Sequence, residues 1–283
     1  CGRRPLLDSA AGSPVVGGHA AQTGAWPWSV SLQIRQAGLQ FTHLCGGVLV
    51  NENSVLTAGH CVRKRKDPYS WRAVLGVYNL WKHGKYTAKR NIKSITVHPE
   101  FNGDTFENDI ALFQLHSAVR YSDYIQPLCL PPAHLDAYLD NETACYVSGW
   151  GLTEEGKTPA MLKEAQVEII PSSICNGSDA YRGLVKMNMI CAGSQSGGTD
   201  TCQGDSGGPL ACYDPSTNKY YLIGIASFGL GCGQPKFPGI YVRLSQYGRW
   251  IESELLSNKA VNPVSVTLTI FLTVVRIVLA KTF

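Results

Sequence analysis

The sequence predicts an all-β protein, a sandwich or barrel of short strands with one α-helix near its C-terminal end. Three observations carry that prediction. Twenty-nine glycines and fifteen prolines supply many tight turns. From Trp28 the residues alternate, with Trp28, Val30, Leu32 and Ile34 on one face and Ser29, Ser31 and Gln33 on the other, which is the period of a strand. Short apolar runs bounded by turn residues then recur at 47–50, 73–77, 92–97, 110–115, 145–150, 221–228 and 239–244. They lack the alternating helical patterns of a βαβ fold.

The flanking segments read differently. Residues 1–14 are short, polar and punctuated by Pro5, Gly12 and Pro14, the character of a propeptide or linker. Over 245–256, Tyr247, Trp250, Ile251, Glu254 and Leu255 fall at helical spacing, and Ser245 is placed to cap the N-terminus. Residues 257–283 form a spacer and a hydrophobic tail. Fifteen residues from Val261 to Val275 carry no charge, and the apolar run resumes after Arg276 as far as Ala280. A membrane helix needs roughly 17–25 residues, so the tail is marginal but long enough for attachment. A lipid anchor is the alternative, although the spacer after Asn258 is short for one.

The chain has 283 residues, 44% hydrophobic and 16% charged, which excludes a disordered protein. A net charge of +4 does not suggest nucleic acid. Ten cysteines, an even number, suit disulfides in an oxidising compartment. Metal binding loses to that reading: no CxxC pair occurs, and His60-Cys61 lacks further ligands at zinc spacing. No metal and no cofactor are expected. The sequons at Asn141 and Asn176 agree with secretion and glycosylation. Because the chain starts at Cys1, it is read as a processed chain or a fragment whose targeting segment has been removed.

Three motifs carry chemistry: Leu56-Thr-Ala-Gly-His60-Cys61, Asn108-Asp109-Ile-Ala-Leu112 and Gly204-Asp-Ser206-Gly-Gly208-Pro209. A serine hydroxyl is a poor nucleophile at neutral pH. It needs an imidazole to take its proton, and the imidazole needs a carboxylate to fix its tautomer and stabilise its cation. Ser206, His60 and Asp109 supply those three types. Each motif alone has a bland reading as packing or turn, and a GxSxG match also fits the nucleophile elbow of another fold. The order His, Asp, Ser in β-rich surroundings argues against that elbow.

With these motifs, residues 15–256 resemble the trypsin-like serine proteases of the chymotrypsin fold. The resemblance implies two six-stranded antiparallel β-barrels, about 15–125 and 126–244, with a helix at 245–256. It implies His60, Asp109 and Ser206 as the triad and the N–H groups of Gly204 and Ser206 as oxyanion donors. Ser227 matches the serine that bonds the aspartate, while Phe228 stands where the family usually has Trp. Asp200 matches the carboxylate at the base of a pocket for Arg or Lys. Thr201 lies beside it, and Gly229 and Gly239 match the pocket's wall glycines.

The implied disulfides are Cys1–Cys129, Cys45–Cys61, Cys145–Cys212, Cys175–Cys191 and Cys202–Cys232; spacing alone does not choose among pairings. The loop 76–90 has no carboxylate and Pro238 replaces a tyrosine, which argues against calcium and sodium. The family frees an N-terminus at Val15 to pair with Asp205, but Pro14 stands where the activating cut normally follows Arg or Lys. Within the family the nearest resemblance is to the testis-type transmembrane branch, with the acrosins a looser second.

The expected protein is thus a zymogen on the extracellular face of a plasma, secretory or acrosomal membrane, acting on protein substrates with Arg or Lys at the cleavage site. A rival reading is a zymogen-locked binding module. Arg63-Lys-Arg-Lys66 with Lys82, Lys85, Lys89, Arg90 and Lys93 is a candidate surface for a polyanion or sulfated glycan.

Overall fold

A computed structural model of the chain describes residues 1–8, 19–36, 40–132, 135, 139, 142–152, 159–194, 204–231 and 234–257. The first barrel is built from β2 (Ser29–Arg35), β3 (Phe41–Asn51), β4 (Ser54–Thr57), β5 (Trp71–Leu75), β6 (Ala88–Val97) and β7 (Ala111–Leu115). These strands close in the order β2-β3-β4-β7-β6-β5, every pair antiparallel. The second barrel uses β8 (Cys145–Gly149), β9 (Lys163–Ile170), β10 (Met189–Gly193), β11 (Pro209–Asp214), β12 (Lys219–Phe228) and β13 (Gly239–Arg243). Its order is β9-β10-β13-β12-β11-β8, closed by the pairing of β8 with β9, and the two-residue β1 (His19–Ala20) adds to β9. Each barrel closes on its own apolar interior. Leu32, Trp71 and Phe113 lie inside the first, and Val147, Ile223 and Tyr241 inside the second. Closure leaves neither sheet with a long unpaired edge.

Short helices α1 (Pro5–Asp8) and α2 (Ser172–Cys175) and the longer α3 (Gly248–Ser257) complete the chain. The helix expected over 245–256 begins instead as a 3₁₀ turn at Leu244–Tyr247 and becomes α-helical at Gly248. Ser245 therefore lies inside the turn and is not its cap; Arg243 holds the cap position and makes no side-chain capping bond.

Two further features, in β2 and in the N-terminal segment, add to what the periodicity shows. Ser29, Ser31 and Gln33 are buried as fully as the apolar face they alternate with. That polar face of β2 is turned toward the second barrel and satisfied internally: Ser29 Oγ and Ser148 Oγ are 2.8 Å apart across the seam. The N-terminal segment is also more than a linker over its first eight residues. Gly2 donates its N–H to the Pro127 carbonyl and accepts from the Tyr220 N–H, both at 2.8 Å. The Arg4 guanidinium lies 4.4 Å over Trp26 and 5.2 Å from the Tyr220 ring centre.

Four implied disulfides are formed: Cys1–Cys129, Cys45–Cys61, Cys145–Cys212 and Cys175–Cys191. Cys202 and Cys232 lie outside the described residues. Among the described residues no helix is long and apolar enough to cross a membrane, and the tail at 258–283, on which that expectation rests, lies outside them.

Candidate active site

His60 sits in a one-turn 3₁₀ helix, Gly59–Val62, that follows directly from β4. Cys61 beside it is bonded to Cys45 of β3, so the turn cannot swing away from the barrel. Asp109 comes from the segment leading into β7. Asn108 before it has a left-handed backbone, φ +55°, which asparagine tolerates better than most residues. The Asn108 side chain is held from three sides: Nδ2 donates to the Glu100 carbonyl, and Oδ1 accepts from Asn188 Nδ2 and the Tyr247 hydroxyl. This bend turns Asp109 inward, where it is fully buried.

A buried carboxylate is costly unless it is bonded, and Asp109 is. Oδ1 accepts the His60 backbone N–H at 2.7 Å. Oδ2 accepts from His60 Nδ1 at 2.7 Å and from Ser227 Oγ at 2.5 Å. Because a carboxylate only accepts, the His60 proton is on Nδ1 and the lone pair on Nε2. Burial, opposed by the Asn188 bond and reinforced by the charge of Asp109, pushes the nearby Tyr247 hydroxyl up to about 12. It stays a neutral donor to Asn108.

Ser206 arrives from the second barrel, on the turn before β11. Its carbonyl accepts the Gly46 N–H at 2.8 Å and stands 3.8 Å from Cys61 Sγ, so one hydrogen bond and one disulfide link Ser206 to the residue after His60. The barrels can approach this closely only because Gly207 lacks a side chain. A Cβ there would lie 2.0 Å from Thr57 Oγ1, and its φ is +82°. The neighbouring Asp205 carboxylate accepts the Gly151 N–H at 2.7 Å, and a Cβ on Gly151 would come within 2.1 Å of it. Among the described residues the N–H groups of Gly204 and Ser206 have no hydrogen-bond acceptor. Ser206 thus lies against the turn that carries His60, whose ring is bonded to the buried Asp109 carboxylate. Residues 15–251 match the family model Trypsin. The chain belongs to the trypsin family. It is thus a member of a serine protease family whose described cysteines are all disulfide-bonded.

In this trypsin-family protein Ser227, at the end of β12, is buried and donates its hydroxyl to Asp109 Oδ2. Gly229 is exposed and Gly239 is buried at the start of β13, paired with Ala192. Asp200, Thr201, Val15, Pro14 and Asn141 lie outside the described residues. The amide of Asn176 donates to the Val185 carbonyl and accepts the Val185 N–H. Phe106, with φ +57°, stands beside His60 at 5.6 Å and beside Phe228 at 5.1 Å between ring centres. An aromatic wall therefore borders the imidazole. Cys45, His60 and Cys61 lie together, but the two cysteines are a disulfide and offer no thiolate to a metal.

The sequence did not single out His43, whose motif has no distinguishing spacing. It is the last side chain of a directed chain of bonds. Arg72 Nε donates to Gln33 Oε1 at 2.8 Å, and Gln33 Nε2 donates to Ser31 Oγ at 3.1 Å. Ser31 and His43 Nδ1 are 2.9 Å apart, and His43 Nε2 is 3.0 Å from the Gly204 carbonyl. A carbonyl only accepts, so His43 is protonated at Nε2 and takes the Ser31 hydroxyl proton at Nδ1.

Burial, only partly opposed by the Gly204 bond, lowers His43 from its ordinary 6.5 to about 4. The unfolded chain takes up this proton below pH 6.5 and the folded chain only near pH 4. The stability tied to a neutral His43 is thus complete above 6.5 and lost as pH falls through that window, about 3 kcal/mol in all. Urea unfolding of wild type and His43→Gln at pH 7 and pH 4 should show a steeper loss in wild type. Equal losses would mean that His43 is not held neutral.

Proposed function

We propose that this trypsin-family protein is a serine endopeptidase that cleaves after Arg or Lys, made as a zymogen. The observation that supports catalysis most directly is the saturated Asp109 carboxylate, which leaves His60 Nε2 with its lone pair free. In the proposed cycle Ser206 Oγ attacks the scissile carbonyl carbon while His60 Nε2 takes the hydroxyl proton. The imidazolium is stabilised by Asp109, and the carbonyl oxygen becomes an oxyanion that accepts from the Gly204 and Ser206 N–H groups. Collapse expels the amine, which takes the proton from His60, and leaves an ester on Ser206. Water, deprotonated by His60, attacks that ester; collapse breaks the bond to Ser206 Oγ and releases the carboxylic acid, while His60 returns the proton to Oγ.

The specificity part rests on Asp200. A carboxylate at the base of a pocket walled by Gly229 and Gly239, with Thr201 beside it, would be stable there only when a substrate cation pairs with it. Val15, once freed, would pair with Asp205. Membrane attachment through 257–283, an extracellular or acrosomal location, glycans at Asn141 and Asn176, and a reproductive-tract role through the testis-type branch belong to the same proposal. Its partners would be protein substrates with Arg or Lys at the cut, and a polyanion or sulfated glycan.

The second reading, a zymogen-locked adhesion module, is favoured only by Pro14. One experiment addresses both the pocket and the tail. Full-length protein carrying Pro14→Arg is expressed in secreting cells, fractionated, cut at Val15, freed of the activating protease and assayed on a peptide library. Cleavage after Arg and Lys by protein from the membrane fraction is expected. Equal cleavage after Phe or Leu would remove the pocket assignment, and complete recovery in the medium would remove the anchor.

A further inference from the structure

The outer face of the first barrel is basic to a degree that its fold does not require. Residues 71–97 hold six Lys or Arg and no Asp or Glu, an excess larger than the +4 of the whole chain, and 29–36 and 41–51 are also free of carboxylates. The barrel register converts that composition into a surface. Arg72 of β5 pairs with Gln33 of β2 on one side and Asn91 of β6 on the other, while Arg35 pairs with Phe41 of β3. Lys89, Asn91 and Lys93 alternate outward along β6. With strands about 4.8 Å apart, Arg35, Arg72, Lys89 and Lys93 fall within a few side-chain widths of one another. Among the described residues none of them has a carboxylate partner. Like charges set side by side on a sheet are destabilising, and among the described residues no carboxylate is paired with them.

Two details make this face more than a diffuse positive field. The guanidinia of Arg72 and Arg35 both lie over the Phe41 ring, at 4.4 and 5.2 Å, which fixes two planar donor forks in place. The loop above carries Trp81, 76% exposed. Asn79 Oδ1 holds that tip by accepting the N–H groups of both Trp81 and Lys82 at 2.9 Å, and Leu80 N–H is anchored to the Ala160 carbonyl. The same loop joins β5 to β6, whose register begins with Leu75 opposite Ala88, so it stands one residue from Lys89; His83 on it, bonded to the Leu80 backbone, is lowered first by burial and then by the charges of Lys89 and Arg72. The exposed indole is followed directly by Lys82, and Lys85 Nζ lies 4.8 Å from the centre of the Tyr86 ring, so cations and aromatic faces share this loop.

We propose that this face is the docking surface of a linear sulfated polysaccharide, with Arg35, Arg72, Lys82, Lys85, Lys89 and Lys93 contacting sulfates and Trp81 stacking on a sugar ring. Rows of cations across three strands suit an extended polyanion, and the planar forks suit tetrahedral oxyanions. The run Arg63–Lys66 is not part of it. Arg63 is already paired with Asp104 at 2.9 Å, and Arg90 spends its guanidinium on the Ala118 and Lys89 carbonyls. The proposal rests on the polyanion or sulfated-glycan reading above, from which it keeps Lys82, Lys85, Lys89 and Lys93, and it deepens that reading by moving the site off Arg63–Lys66 and onto the barrel face; catalysis does not enter it.

The test is heparin affinity of the full-length chain carrying Ser206→Ala, so that proteolysis cannot affect the result. Lys82→Ala/Lys85→Ala/Lys89→Ala together should weaken binding at least about tenfold, and Trp81→Ala should weaken it with no change in charge. Neutralising Arg63–Lys66 should leave it unaltered. Unchanged elution of the triple variant, or loss of binding confined to the 63–66 variant, would overturn the assignment. So would a poly-glutamate peptide that binds as tightly as heparin, because the occupant would then be an acidic polypeptide.

Discussion

Asp109→Asn, made in Pro14→Arg protein cut at Val15, is expected to lower kcat on an Arg-containing peptide about 10⁴-fold, with a much smaller change in KM. The bonds around Asp109 dictate how the new amide must sit. Oδ1 receives the His60 backbone N–H, which can only donate, so the carbonyl of Asn takes that place. The NH₂ group then occupies the position of Oδ2, facing His60 Nδ1 and Ser227 Oγ. The Ser227 hydroxyl can rotate to accept. The imidazole can accept at Nδ1 only by moving its proton to Nε2, where it can no longer take one from Ser206. The fold should be unaffected, since every bond has a replacement, and circular dichroism would confirm that. Activity within tenfold of that activated parent would show that Asp109 does not set the His60 tautomer.

Pro14→Arg is expected to turn a silent protein into an active one. Proline has no N–H, a fixed φ and no cation for an activating protease to grip. Wild type treated with trypsin should stay nearly inactive toward Arg substrates, while the variant should gain activity together with a new Val15 N-terminus. Cuts after Arg3 or Arg4 should not substitute, because their new termini lie well upstream of Val15. Equal activation of both proteins would show that another protease recognises this linker, and the locked-module reading would lose its support. A variant cut at Val15 yet still inert would place the defect in the site and count against the triad.

The legible parts of the site were those written as local words. His60, Asp109 and Ser206 each sit in a short motif because each is positioned by its immediate neighbours: a disulfide at Cys61, a left-handed Asn108, the glycines around Ser206. The pairing of β-strands was less legible. In β9, Gln166 and Glu168 interrupt the apolar residues, and only closure against β8 and β10 shows them to be the outward set of a barrel strand. Least legible was the seam. Serines and a glutamine alternating with apolar residues look like a solvated face, and only the presence of a second barrel makes that face interior. Burial of a polar side chain is decided by partners such as Ser148 or His43, distant in sequence, that periodicity does not see.

The bonds that join Arg72 to Gly204 have a property that none of them has alone. Gln33 could be turned over, Ser31 could point its proton either way, and His43 has two tautomers. The ends have no such freedom, since a guanidinium only donates and a peptide carbonyl only accepts. Every orientation between them is therefore a boundary condition propagated inward, like a row of compass needles held at both ends. Removing Gln33 would cut the row into two pieces, each still aligned by its own end. Removing Arg72 would leave the row aligned from the Gly204 carbonyl alone, so Gln33, the group farthest from that end, would be the one to lose its second constraint.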